Sequence, residues 1–192
     1  MSIRFDISKK LIENIVNPIC VEIGTHEGYF ADNLLSSNPT ATLYCIDPYL
    51  KYDEYEDGIN LITGDDLFHK TFEKLTTKYG KRVIFIKELS SKAIDLIPDK
   101  IDFLYIDGNH TYKYVYEDIE NYYNKVKSGG YIMGDDAVDT DENKRDKNGD
   151  VFIEWSSGCY GNYGVIKAFT DFVTKNNLKG EIIDTQYLLR KQ

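Results

Sequence analysis

The chain alternates short, nearly unbroken apolar runs with longer amphipathic stretches, and that rhythm restricts it to an α/β fold. The short runs are PICVEIG (18–24), TLYCID (42–47), RVIFIK (82–87), IDFLYID (101–107) and GYIMGD (130–135). Runs without polar alternation suit parallel strands covered on both faces. Tyr112, Val115, Ile119, Tyr122 and Val126 recur at helical spacing, with Lys113, Glu117, Asp118, Glu120 and Asn121 on the opposite side. This helix is expected to stop at KSGG, a lysine-then-glycine ending. Further helices are predicted near 28–37, 66–78, 90–97 and 163–175. The C-terminal GEIIDTQYLLRKQ carries runs at 181–184 and 186–190 with too little between them for a crossover, so they form a hairpin. Together these segments predict a doubly wound, Rossmann-like sheet of about seven strands, mostly parallel with an antiparallel last strand.

A length of 192 residues with 42% hydrophobic content suits one domain, residues 1–192. A formal charge of -9 gives no positive field to attract phosphate backbones or anionic lipid, which disfavours nucleic acid as a partner. MSIRFDISKK lacks the apolar core of a signal peptide, and no later run approaches the length of a membrane span, so a cytoplasmic protein is expected. Cys20, Cys45 and Cys159 are odd in number and lack zinc spacing, which fits a reducing compartment. A homo-oligomer is compatible with all of this. Two polar stretches, 48–64 and 137–164, are too long for simple connections and follow strand C-termini, where ligands bind in open α/β sheets. They are the candidate lid and substrate walls.

In VEIGTHEGYF, Gly24 and Gly28 bracket a turn into a helix, turning backbone N–H groups toward a ligand. Asp47 ends the second strand, 23 residues after Gly24, where an acidic residue grips ribose hydroxyls in such sheets. His26 stands where a dinucleotide fingerprint has its middle glycine, so close approach of a pyrophosphate is disfavoured. Glu22 would also repel phosphates but welcome an ammonium group. S-adenosylmethionine (SAM) has a ribose, a sulfonium and an ammonium, and no phosphate. Farther along, Asp107 ends strand four, and Asp135 and Asp136 end strand five one crossover later, which places three carboxylates at one edge of the sheet. Aspartates at strand ends also cap helices and turns. Converging carboxylates repel unless a cation lies between them, and oxygen ligands suit Mg²⁺.

The segments VEIGTHEG, CIDPY, IDFLYIDGNHTY and VKSGGYIMGDD resemble those of the class I SAM-dependent methyltransferases, specifically small metal-dependent O-methyltransferase-like domains, over residues 18–136. The resemblance implies that Glu22, Gly24, Thr25 and Gly28 cradle the methionine half of SAM, Asp47 the ribose, and Leu89 with Ser90 the adenine. Asp107 thereby belongs to both the cofactor and the metal sets. KELSSKA departs from the glycine-containing turn common at the adenine position. By the same resemblance, Asp107, Asp135 and Asp136 hold Mg²⁺ or a similar divalent ion, and His110 takes the substrate proton, a role its ordinary pKa near 6.5 suits. His26 is expected to line the cofactor turn, and His69 to have no function. The stretch DTDENKRDKNGD spaces Asp139, Asp141 and Asn143 like an EF-hand, but Lys144 stands at the glycine position and Asp150 at the glutamate position, which argues against calcium.

The expected activity is methylation of a hydroxyl on a small molecule, a sugar or an aromatic ring, with Tyr49, Tyr52, Trp155 and Tyr160 as candidate pocket walls. Anionic oxygen meets cationic sulfonium in that reaction, so the main task is alignment in a dry pocket. One alternative is a nicotinamide-dependent oxidoreductase on the same type of sheet, weakened by the missing middle glycine. The other is a SAM-binding module without turnover.

Overall fold

The computed structural model describes residues 3–51, 63–138, 142–154 and 160–192. The strands are β1 (Ile19–Ile23), β2 (Thr42–Ile46), β3 (Val83–Ile86), β4 (Ile101–Ile106), β5 (Val126–Gly134), β6 (Val151–Glu154), β7 (Tyr160–Tyr163), β8 (Gly180–Ile183) and β9 (Gln186–Arg190). The helices are α1 (Ile3–Ile12), α2 (Tyr29–Ser37), α3 (Asp65–Tyr79), α4 (Ser90–Ala93), α5 (Tyr112–Tyr123) and α6 (Val165–Lys175). Seven strands form one sheet in the order β3-β2-β1-β4-β5-β9-β8, and β6 pairs with β7 apart from it. The five strands from β3 to β5 in that order are parallel, while β9 runs antiparallel between β5 and β8. The chain therefore adopts the mostly parallel, Rossmann-like arrangement with a reversed last strand.

Apolar residues on consecutive positions of β4 feed two cores, because successive side chains point to opposite faces. Phe103 and Tyr105 join Ile12, Phe30, Leu34 and Leu75 beneath α1, α2 and α3. Leu104 and Ile106 join Ile119, Tyr122, Ala168 and Phe169 beneath α5 and α6. All six β4 residues are buried, as a central parallel strand requires. Cys20 and Cys45 are free thiols buried in the first of these cores. Among the described residues, no helix is long and apolar enough to cross a membrane.

Three elements differ from the sequence reading. Helix α5 ends at Tyr123, and Val126 opposes Ile101 as the start of β5, so KSGG lies inside a strand rather than at a helix end. A register shift between Ile101 and Phe103, with Gly129 at φ +81°, lets β5 accommodate those residues as an irregularity. Helix α1 was not anticipated: IRFDISKKLI presents a weak apolar stripe, and of its residues only Ser8 and Ile12 are buried. Asn38 anchors it, its side-chain amide donating to the carbonyls of Ile12 (2.8 Å) and Ile15 (3.0 Å). The β6–β7 hairpin lies within the stretch read as a polar loop.

Gly134, the last residue of β5, is packed against Tyr187 so closely that a Cβ would stand 2.2 Å from the ring's Cζ. Tyr187 is fully buried and stacked on Phe169 at 4.8 Å, which denies it room to retreat. Gly134→Ala is therefore expected to lower stability by about 1–3 kcal/mol, read as a reduced urea midpoint with an unchanged slope.

Candidate active site

The parallel strands end level with one another. Ile23 is in register with Ile46 and Ile106, Ile46 with Ile86, and Ile106 with Gly134. The hydrogen-bond ladder then continues one residue further: Gly24 N donates to Ile46 O (2.8 Å), Asp47 N to Ile86 O (3.2 Å), Asp107 N to Ile23 O (2.8 Å) and Asp135 N to Ile106 O (3.1 Å). These bonds fix four consecutive backbones at the carboxyl edge, beside the switch point between β1 and β4. A cavity of about 440 Å³ opens there, lined among others by Glu22, Gly24, Thr25, Asp47, Leu89, Ser90, Asp107, His110, Asp135 and Asp136. Its size suits a small-molecule ligand.

Gly24 is required by contact as well as by conformation. Its φ is +89°, and a Cβ would lie 2.0 Å from the carbonyl oxygen of Asp107. Gly28, at φ +71°, begins α2 instead of facing the cavity, and a Cβ there would meet Leu75 at 2.8 Å. Between them the turn orients Asp47: His26 N donates to Oδ2 at 2.8 Å and Tyr49 N to Oδ1 at 2.7 Å. Each oxygen keeps further acceptor capacity, as a ribose-binding carboxylate needs. Burial raises the Asp47 pKa, and those backbone donors oppose the rise. Glu22 is buried and lifted well above the usual carboxylate range by desolvation, with the Thr25 hydroxyl opposing and Asp107 and Asp47 adding to the rise.

At the other end, α5 brings Asp118 to the cavity wall beside Ser90 of α4. The sequence pattern placed Asp118 on the polar side of that helix, yet it is only 5% exposed. Burial raises its pKa to about 7, the Ser90 hydroxyl opposing. Tyr122 OH donates to Ser90 O at 2.7 Å, which ties the start of α4 to α5. Leu89 and Ser90 thus stand in the wall where the adenine was expected.

The carboxylates after β4 and β5 have different surroundings. His110 Nε2 lies 3.4 Å from Asp107 Oδ1 and 3.3 Å from Asp136 Oδ2. Ligand atoms of Asp107, His110 and Asp136 fall within 4.8 Å of one another, a grouping able to hold a metal ion. Asp136 reaches it from a left-handed backbone, φ +56°. Desolvation raises the Asp107 pKa to about 6; His110 opposes the rise, and Asp135 and Asp136 add to it. Asp135 instead accepts bonds from Arg4, Gln186 and the Tyr105 hydroxyl (3.2 Å). Arg4, Asp118 and Gln186 were not anticipated as site residues, since each comes from a distant element and none stands in a recognisable motif.

The ring of His110 is stacked on Tyr163, centroids 5.4 Å apart and planes within 4°, and its carbonyl accepts from Gly164 N at 2.8 Å. Asp150 caps α5, accepting from Tyr112 N at 2.6 Å, and Asp146 accepts from the backbones of Asn148 and Asp150. These two carboxylates of the EF-hand-like stretch serve a cap and a turn; Asp139 and Asp141 lie outside the described residues. Among the expected wall residues, Tyr49 is buried and bonds His26 O at 3.1 Å, while Tyr52, Trp155 and the side chain of Tyr160 lie outside the described residues. His26 lines the cavity, and His69 is exposed on α3.

Residues 21–137 match the family described as a methyltransferase domain. Uncharacterized protein R132 of Acanthamoeba polyphaga mimivirus is 33% identical over 149 residues, covering 70% of this chain and 61% of that protein. The chain thus spans about three-fifths of that relative's length. The O-methyltransferase NovP has the same fold, with a TM-score of 0.66 at 15% identity over 98% of this chain and 79% of that one. An SAH-bound methyltransferase from Podospora anserina has a TM-score of 0.67 at 12% identity, covering 100% and 80%.

Asp118 has a pH consequence. A carboxyl whose folded pKa is raised favours the folded state when protonated, so its contribution is full below the unfolded value of about 4 and is lost as pH rises through about 7. Asp118→Asn is expected to gain stability relative to wild type between pH 4 and 7, by on the order of 1 kcal/mol or more, read by urea denaturation across that range.

Proposed function

The chain belongs to the class I SAM-dependent methyltransferases, and from that membership we propose that it methylates a hydroxyl oxygen of a small molecule with the help of a divalent cation such as Mg²⁺. The observation that carries this reading is the convergence of Asp107, His110 and Asp136 within 4.8 Å on the wall of the cavity that also holds Gly24 and Asp47. The two carboxylates supply the oxygen ligands that Mg²⁺ prefers, and the imidazole beside them extends the set to softer divalent ions such as Mn²⁺. The raised Asp107 pKa points the same way, because a cation relieves the burial and mutual repulsion that hold it up.

Several carboxylates line the same cavity, among them Glu27, Asp47, Asp107 and Glu117. Such a lining favours the sulfonium and ammonium groups of SAM and disfavours a polyanionic acceptor. Tyr29 and Leu50 also line it, 62% and 59% exposed, and offer apolar surface to an aromatic ring or the face of a sugar. The kinship in fold with the O-methyltransferase NovP supports oxygen as the acceptor atom.

SAM supplies the methyl group on a cationic sulfur, and a bound divalent ion supplies Lewis acidity that makes a nearby hydroxyl easier to deprotonate. The turn from Gly24 to Asp47 fixes the cofactor, Asp107 and Asp136 orient His110 between them, and Tyr163 keeps the imidazole plane from swinging. A second reading uses the same residues without a metal. The nearly equal Nε2 distances to two carboxylates favour it, since that pair would stabilise the imidazolium formed when His110 takes the hydroxyl proton.

The two readings separate in an assay of labelled SAM with catechol and sugar acceptors on chelator-treated protein. Mg²⁺ is expected to restore transfer at least tenfold in the wild type and to do far less in Asp136→Asn, a replacement that tolerates the left-handed backbone. Transfer indifferent to chelation would assign the chemistry to His110 without a metal.

A further inference from the structure

We propose that Arg4 of α1 is a resident cation that fills the Asp135 end of the carboxylate cluster and confines a divalent ion to Asp107, His110 and Asp136. The inference rests on the metal-assisted reading above and adds to it which carboxylate the ion does without.

Asp135 is already saturated. Its Oδ1 accepts from Gln186 Nε2, from Asp136 N at 2.8 Å and, more distantly, from Thr185 Oγ1 at 3.5 Å. Its Oδ2 accepts from Arg4 Nη1 and from Tyr105 OH at 3.2 Å. Two or more donors on each oxygen leave little acceptor capacity for a metal. The same Arg4 nitrogen also reaches Asp107 Oδ2 at 3.3 Å, while Asp107 Oδ1 faces His110. Asp107 is thus shared, one oxygen toward the guanidinium and the other toward the candidate metal group. Exposure follows the same order, with side chains of Asp135, Asp107 and Asp136 at 11%, 21% and 35%. The carboxylate that meets the permanent charge is the most enclosed, and the one that meets the exchangeable charge is the most open.

Arg4 does not reach the cluster as a loose surface side chain. Its neighbour Phe5 packs on Phe30 at 6.2 Å, and Phe30 stacks on Tyr105 at 3.6 Å, the tyrosine whose hydroxyl bonds Asp135. Arg4 Nε is buried without a partner among the described residues, so the carboxylates, not a full set of bonds around the guanidinium, govern where it sits. A fixed positive charge on Asp107 repels a divalent ion held by the other oxygen of the same carboxylate. Arg4 therefore sets the affinity of the site as well as its ligand count.

The test is titration of Mn²⁺ into SAM-free protein, by calorimetry and by the electron paramagnetic resonance of the free ion. Arg4→Gln is expected to lower the Kd at least tenfold. The Arg4→Gln/Asp135→Asn double variant removes the pair without leaving a lone buried charge, and it is expected to bind within about threefold of wild type. Asp136→Asn is expected to weaken binding at least tenfold. Loss of binding in the double variant comparable to that in Asp136→Asn would make Asp135 a ligand and overturn the inference. An Arg4→Gln affinity equal to or below wild type would also overturn it; should that single variant fold poorly, the double variant decides alone. If neither wild type nor Arg4→Gln binds Mn²⁺, the metal-assisted reading fails and takes this inference with it. Binding by wild type with the wrong order among the variants overturns only the assignment of Arg4.

Discussion

The site depends on parallel strands that stop at one level. Because the ladder bonds continue one residue past β1, β2, β4 and β5, the backbones of Gly24, Asp47, Asp107 and Asp135 are held by the sheet itself, without reliance on loops. Side chains placed this way need little further ordering before a ligand arrives, which lowers the entropic cost of binding. The contact between Gly24 and the Asp107 carbonyl makes the arrangement mutual. The turn that orients Asp47 and the strand end that carries Asp107 are built against each other.

Level strand ends also concentrate negative charge, and the structure answers it with different devices. Glu22 is desolvated and pushed toward its neutral form, Asp47 is wrapped by backbone donors, Asp118 lies beside a serine hydroxyl, and Asp135 faces Arg4. Asp107 and Asp136 share a single imidazole. Asp107 also meets Arg4 through its other oxygen, and Asp136 is the more exposed of the two. A cation entering there would relieve the repulsion between these two neighbouring carboxylates.

Much of this was legible in the sequence because each signal was local. Continuous apolar runs gave the parallel strands, and the residue after each run gave Asp47, Asp107 and Asp135, since an edge position follows directly from where a strand stops. What was not legible required partners distant in the chain. Asp118 reads as a polar-face residue until α4 packs over it. The apolar step from Tyr122 to Val126 fits a helix until Val126 pairs with Ile101. Arg4 lies in a helix whose weak stripe conceals that its first turn reaches a site formed more than 100 residues later, since its contacts with Asp107 and Asp135 span 103 and 131 positions. The sequence pattern identified the three carboxylates; only the fold shows that Asp135 faces Arg4, Gln186 and Tyr105, while Asp107 and Asp136 meet at His110.

The segment after β5 is tied to the loop that carries His110. Asp150 caps α5 at Tyr112, Gly164 bonds the carbonyl of His110, and Tyr163 stacks on its ring. A Cβ at Gly164 would lie 2.4 Å from Tyr112 N, so the two segments meet backbone to backbone. The described part of this segment is thereby fastened to the loop that carries the imidazole. A change at Tyr163 or Gly164 therefore also disturbs the support of His110, which couples this segment to the wall of the cavity.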